Sequence, residues 1–165
     1  MADALLSERL QPSLLDRLTD DAPGETGETR KDRVVDVAQL RRIVLRDLLW
    51  LLNTTRYESL KNLEDYPLIS RSTINFGVPD FAGGSMSKAR AVALQKDLRE
   101  AIMTFEPRLL PETLEVRLAG ESTGGQHQLF FDIRGDLWAQ PLPIELYMRT
   151  QLDTTTGDMR VQGGR

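Results

Sequence analysis

The chain has 165 residues, a length that suits one domain with a short appendage. Apolar residues make up 40%, enough for a real core, and the net charge of -4 comes from 21 basic and 25 acidic residues that are well mixed along the chain. That mixture excludes the concentrated basic face on which phosphate neutralisation depends, so no nucleic-acid partner is expected. The absence of cysteine excludes disulfides and thiolate chemistry and fits a reducing compartment. No stretch approaches the roughly 18 consecutive apolar residues of a membrane span. The N-terminus carries acids early and lacks the apolar run of a secretory signal. A cytoplasmic bacterial or viral protein without direct membrane insertion is the simplest reading.

Between residues 4 and 18, Leu5, Leu6, Leu10, Leu14, Leu15 and Leu18 recur at helical spacing, with a division near Pro12. These leucines form either a helix that folds back on the domain or an arm that docks on a partner. The polar stretch 19–33, "TDDAPGETGETRKDR", is a linker. The expected division is therefore residues 1–33 as a helical arm and flexible linker, and 34–165 as the main domain.

Asp36 is placed to cap a helix whose apolar face runs through Val37, Leu40, Val44, Leu48 and Leu51. Ile43, Leu45, Leu49, Trp50 and Leu52 widen that face, so "LLWLL" is apolar nearly all round. It is either buried on several sides or awaits a partner. Residues 66–84 are broken by Pro67, Gly77, Pro79, Gly83 and Gly84, and read as an ordered loop anchored by Tyr66, Leu68, Ile74, Phe76 and Phe81.

The clearest helix runs from about Ser87 to Phe105, with Ala91, Leu94, Leu98, Ala101, Ile102 and Phe105 on one face and Lys96 four residues before Glu100. Pro107 ends it, because the residue before a proline is pushed out of the α region. The apolar period then changes to two. Leu114, Val116 and Leu118 alternate with Glu115, Arg117 and Ala119. Leu129, Phe131 and Ile133 form a second such series, and Ile144, Leu146 and Met148 a third. "GESTGG" turns the first strand into the second, and "TTTGD" turns a last strand, "MRVQ", back on the third. The expected class is α+β: N-terminal helices and one long central helix packed on a small, mostly antiparallel C-terminal sheet.

Catalytic constellations are poorly represented. The single histidine, His127, follows a Gly-Gly turn at a strand edge, the usual place of a surface residue, and has no second histidine with which to hold a metal. "FAGGS" lacks the spacing of a phosphate loop. Glu58, Glu64, Asp65 and Glu106 are carboxylates that a muramidase-type glycoside hydrolase could use, but an acid with a raised pKa needs an apolar pocket free of cations, and Arg108 stands two residues from Glu106. No cofactor is expected. "FEPRL" is physically odd, since Glu106 lies just past a helix C-terminus, where a negative charge is disfavoured by about 0.3–1 kcal/mol. Either the two charges simply pair and stay wet, or a rigid corner presents them to another chain.

Several segments carry a resemblance: "PSLLDRLTDD" at 12–21, "LRRIVLRDLLWLLNTTR" at 40–56, "YPLISRSTINFGVPDF" at 66–81, "MSKARAVALQKDLREAIMTFEPRLLP" at 86–111, and the strand region from "FFDIRG" onward. Together they resemble the TssE family of type VI secretion baseplate components, which is similar to the small wedge proteins of contractile phage tails and carries a "lysozyme-like" label. "EPR" after the long helix is the hallmark, and "NFGVPD" upstream strengthens it. "TINFG" at 73–77 departs conservatively from the valine, leucine and tyrosine expected there. The resemblance implies a structural, non-enzymatic protein at a baseplate on the inner membrane. Its Glu106, Pro107 and Arg108 would bind other wedge subunits (TssF/TssG-like, TssK-like), and its sheet would template the sheath (TssB/TssC-like subunits). An open sheet edge can accept a strand from another chain, and Ile144, Leu146, Met148 and Val161 on the last strands are the candidates. A muramidase and a dimeric adaptor without a sheath role are the competing readings.

Overall fold

The computed structural model describes residues 13–19, 24, 35–83, 87–121, 128–139 and 142–164. A one-and-a-half-turn helix α1 (Leu14–Leu18) precedes α2 (Val37–Leu52) and α3 (Lys88–Phe105). Strands β1 (Glu115–Glu121), β2 (Gln128–Leu137), β3 (Ile144–Asp153) and β4 (Met159–Gly164) follow. Among the described residues these four strands form one sheet in the order β1-β2-β3-β4, with every neighbour antiparallel. The class is α+β. The helices expected after Asp36 and from about Ser87 to Phe105 are both present, but at 16 and 18 residues they are of similar length, so neither stands out as one long central helix. The reason lies in α2, whose apolar face is continuous from Leu40 to Leu52 and whose N-terminus is closed by the Asp36 carboxylate, which accepts from Gln39 N at 2.6 Å. Ser87 caps α3 in the same manner through Arg90 N. Lys96 and Glu100 stand 3.6 Å apart on its exposed face.

Both long helices cover one face of the sheet. α2 lies over β3 and β4, and α3 over β1. The strand register places Val116, Phe131, Ile133, Met148 and Leu152 on the inner face, where they are buried against Val44, Leu48, Leu94, Leu98 and Ile102. The outer face is polar. There Arg149 donates to both carboxylate oxygens of Asp132, at 2.7 and 3.0 Å, and Tyr147 Oη donates to the same carboxylate at 2.9 Å. The Arg149 guanidinium is the main reason that Asp132 sits below its ordinary value. Alternation of a buried and a polar face is what converts the period-two sequence pattern into a half-covered sheet. Register shifts in the β1–β2 and β3–β4 pairings interrupt both outer strands.

The segment between α2 and α3 is a loop closed at its neck. Thr55 and Val78 form a parallel bridge, with Arg56 N donating to Val78 O and Val78 N to Thr54 O. Gly77 is required there: its φ is +127°, and a Cβ would lie 2.2 Å from Thr54 O. Asn75 is buried inside the loop, its side chain accepting from Glu58 N and donating to Ser70 O. Phe81 is buried and Phe76 half-buried, as expected of anchors, but Tyr66, Leu68 and Ile74 are exposed. The loop is held by its polar interior, and that frees those three side chains from an anchoring role. His127, residues 4–12 and most of the "GESTGG" turn lie outside the described residues.

Candidate functional site

α3 stops at Phe105, one residue before the Glu106-Pro107 bond. Glu106 N still donates to Ile102 O at 2.9 Å, and the side chain turns inward to only 3% exposure. Arg108 follows it. Its Nε donates to Glu106 Oε1 at 2.6 Å, its Nη2 to Oε2, and its backbone N to Oε1 at 3.2 Å. Beyond Arg108 the chain is sewn to the end of β2: Trp138 N donates to Arg108 O at 2.7 Å, Leu110 N to Asp136 O at 2.9 Å, and Leu109 bridges Leu137. Gly135 makes room for this crossing, since a Cβ there would lie 3.2 Å from the Leu109 side chain. The corner is thus a rigid joint between α3 and the sheet, and Glu106 and Arg108 face each other across the proline.

The pair does not close on itself. Arg108 Nη2 also reaches Asp47 Oδ2 of α2 at 2.6 Å. Asp47 Oδ1 in turn accepts from Arg46 Nε and Nη2 at 2.9 and 2.7 Å, and Arg46 Nη1 donates to Asp16 Oδ1 of α1 at 2.6 Å. A chain of alternating charges, Glu106–Arg108–Asp47–Arg46–Asp16, therefore ties three helices together. Burial works against the charge of Arg108, but hydrogen bonding and charge from Glu106 and then Asp47 outweigh it, so the guanidinium is held above its ordinary range. Burial also opposes the charge of Asp16, yet Arg46 and Ser13 bring its carboxyl below the usual value. The Arg46 guanidinium lies 4.8 Å over the Trp50 ring, a cation–π contact one helical turn away.

A cleft of about 260 Å³ opens beside this cluster, walled by Leu15, Trp50, Phe76 and Phe105, with Asp47, Glu106 and Arg108 at its polar end. Phe76 and Phe105 meet edge to face at 5.4 Å. Trp50 is half exposed, whereas Leu48, Leu51 and Leu52 are buried. "LLWLL" is thus core on most sides and surface at its tryptophan.

The residues proposed for strand exchange fall in two places. Val161 lies on β4, an outer strand. Ile144, Leu146 and Met148 lie on β3, with side chains buried in the core. β3 pairs with β2 along its whole length, and Met148 pairs on both sides. The start of β3, from Ile144 to Tyr147, precedes the stretch that β4 covers, and Arg41 Nη2 donates to Glu145 O there at 3.0 Å. β4 is held at its first residue by Asn53, whose side-chain amide accepts from Met159 N at 2.8 Å and donates to Met159 O at 3.0 Å, as a neighbouring strand would.

Sequence reading singled out Glu106, Pro107 and Arg108 but missed Asp47, Arg46 and Asp16, which complete the cluster. The available signal was "RDLLW", where Arg46 and Trp50 stand one turn apart beside an acid. As a general acid Glu106 is badly placed, because both of its oxygens are engaged by Arg108 and almost none of its surface meets solvent. Among the described residues no group of acids, histidines or cysteines is arranged to hold a metal ion, and no helix is long and apolar enough to cross a membrane.

No curated protein and no solved structure matches the chain. Residues 38–142 match the family model described as "Baseplate wedge protein gp25". The matched stretch is more than half of the chain and takes in nearly all of α2, the closed loop, α3, the Glu106–Arg108 corner and the first two strands. The chain belongs to the baseplate wedge protein gp25 family.

Proposed function

We propose that the chain is a structural, non-enzymatic wedge component of a type VI secretion baseplate, assembled on the cytoplasmic side of the inner membrane. Residues 34–165 would form the wedge domain and 1–33 an arm and linker. The joint at Glu106, Pro107 and Arg108 fixes the docking region for other wedge subunits, of the TssF/TssG and TssK kinds. The outer strand β4 around Val161 offers main-chain hydrogen bonds to a strand of the sheath, built from TssB/TssC-like subunits, whereas Ile144 and Leu146 lie on β3, which is paired with β2 along its length. Met148 serves as core beneath that edge.

The observation that carries this reading is the corner itself. A buried carboxylate, a proline and an arginine lock α3, α2 and the sheet into one rigid body inside a wedge-family chain. Rigidity at such a joint suits a part that must hold a partner and a sheet edge at a fixed angle. The test is co-expression with the wedge and sheath subunits. The wild-type chain should co-purify with wedge subunits, and its β4 amides should gain hydrogen-exchange protection when sheath subunits are added. Arg108→Ala, assayed at a temperature where it is folded, should lose wedge capture. Wild-type capture by folded Arg108→Ala would remove the corner from docking. Unchanged exchange along β4 would remove the sheath role.

A further inference from the structure

We infer that α1 is itself part of the docking face and that, with Trp50, it receives an amphipathic partner helix whose apolar row is flanked by acidic residues. The inference rests on the wedge reading and changes what the corner contributes: the corner's charges hold α1 in place, and the partner meets chiefly apolar surface.

α1 buries none of its residues. Its leucines are turned outward, Leu14 at 71% and Leu18 at 75% exposure, while Leu15 lies over the cleft. A helix this short has little stability of its own, and burial does not hold this one. Among the described residues the polar contact that ties it to α2 is ionic, Asp16 to Arg46 at 2.6 Å, and Arg46 is in turn held by Asp47, the partner of Arg108. The structure thus spends its charged corner on presenting a leucine helix to solvent. Leu14 and Leu18 are one turn apart on the same helical face, the row into which another helix packs its side chains. With Trp50 and the adjoining cleft they make an apolar centre of the kind that anchors interfaces.

Charge selects the partner. The cluster's acids are withdrawn: the side chains of Asp16, Asp47 and Glu106 are 13%, 21% and 4% exposed. Among the described residues, what meets solvent around the rim of the cluster is basic. Arg46 is 37% exposed, Arg42 is exposed one turn before it on α2, and Arg17 is exposed on α1. A helix with Asp or Glu beside its apolar row complements that rim, and one bearing Lys or Arg there is repelled.

The test uses the full chain and the co-expressed wedge subunits. Leu14→Ser combined with Leu18→Ser removes the apolar row without touching the core, so thermal stability should match wild type while wedge affinity falls by at least about tenfold. Arg42→Glu should weaken binding several-fold and steepen no unfolding transition. Wild-type affinity in the double serine variant would overturn the inference, and tighter binding would show α1 to be a cover. Unchanged or tighter binding in Arg42→Glu would overturn the acidic assignment. If Arg108→Ala loses capture while the double serine variant keeps it, this inference fails and the wedge reading stands. If neither variant has any effect, both fail.

Discussion

Removing Arg108 should cost the isolated protein a measurable share of its stability, and the structure sets the size. Arg108→Ala deletes two side-chain bonds to Glu106 and one to Asp47. Asp47 retains Arg46, so its loss is partial. Glu106 retains only the backbone N of residue 108 and stays buried. Breaking a fully buried pair costs about 3–5 kcal/mol, since one charge is left without compensation. Wholly exposed pairs are worth about 0–1 kcal/mol. Arg108 is 28% exposed and Glu106 nearly inaccessible, which places the expected loss at about 2–4 kcal/mol. In a domain of this length that lowers Tm by roughly 4–16 °C, and a protein of ordinary stability remains folded at 25 °C. Urea unfolding should show a lower midpoint with an unchanged slope. The paired change Glu106→Leu with Arg108→Met should recover most of the loss, because it leaves no charge stranded. A loss below about 0.5 kcal/mol for Arg108→Ala would refute the reasoning, since pairs worth that little are solvated ones.

Three further perturbations follow from the geometry. Gly77→Ala places a Cβ against the Thr54 carbonyl at a backbone angle that L residues avoid. It should cost about 1–3 kcal/mol or more and raise protease cleavage between residues 55 and 78. Asn53→Ala removes both side-chain bonds to the Met159 backbone. It should cost about 1–2 kcal/mol, with faster hydrogen exchange concentrated in β4. Asp97→Asn should raise Tm at pH 7. Burial, only partly opposed by Arg56, lifts the Asp97 carboxyl above its ordinary value of 3.8, so its favourable contribution exists at acid pH and is lost as pH rises through the folded value. The advantage of the asparagine variant should therefore shrink on acidification. Asp16 and Asp132 run the opposite way: both sit below 3.8, so the stability they contribute is present above that value and disappears as pH falls beneath it.

The parts of the fold that repeat were legible in the chain, and the parts that depend on one distant partner were not. α2 and α3 announce themselves because burial of one helical face demands apolar residues every three to four positions, and Asp36 and Ser87 stand where caps belong. The strands show because a half-covered sheet needs alternation, and the Thr154–Gly157 turn returns β4 onto β3 as its composition suggests. Tyr66, Leu68 and Ile74 misled because an apolar loop residue looks the same whether it is buried or presented. What stabilises that loop is instead Asn75, whose polarity gives no hint of burial. Asn53 was silent for a similar reason: an amide that imitates a strand leaves no periodic trace.

At the corner the same distinction becomes functional. From the sequence, Glu106 and Arg108 are two charges around a proline, and nothing tells whether they point at each other or at another molecule. Asp47 decides it. Because α2 brings a second carboxylate to Arg108, the guanidinium is shared between Glu106 and Asp47, and Asp47 passes the linkage through Arg46 to Asp16. Glu106 and Arg108, satisfied in this way, have little left to give a partner, but they transmit position well. A displacement of α3 relative to α2 must strain the Arg108 fork, and the hydrogen bonds of the cluster carry that strain to α1. The order of effects is therefore predictable along the chain of charges. Arg108→Ala should loosen α1 as well as the corner. Asp16→Asn should loosen α1 alone, because Asp47 still holds Arg46 and Arg108. Hydrogen exchange of residues 13–19 and 103–110 in the two variants measures this asymmetry, and equal loosening of both segments in both variants would show that the cluster does not pass position in that direction.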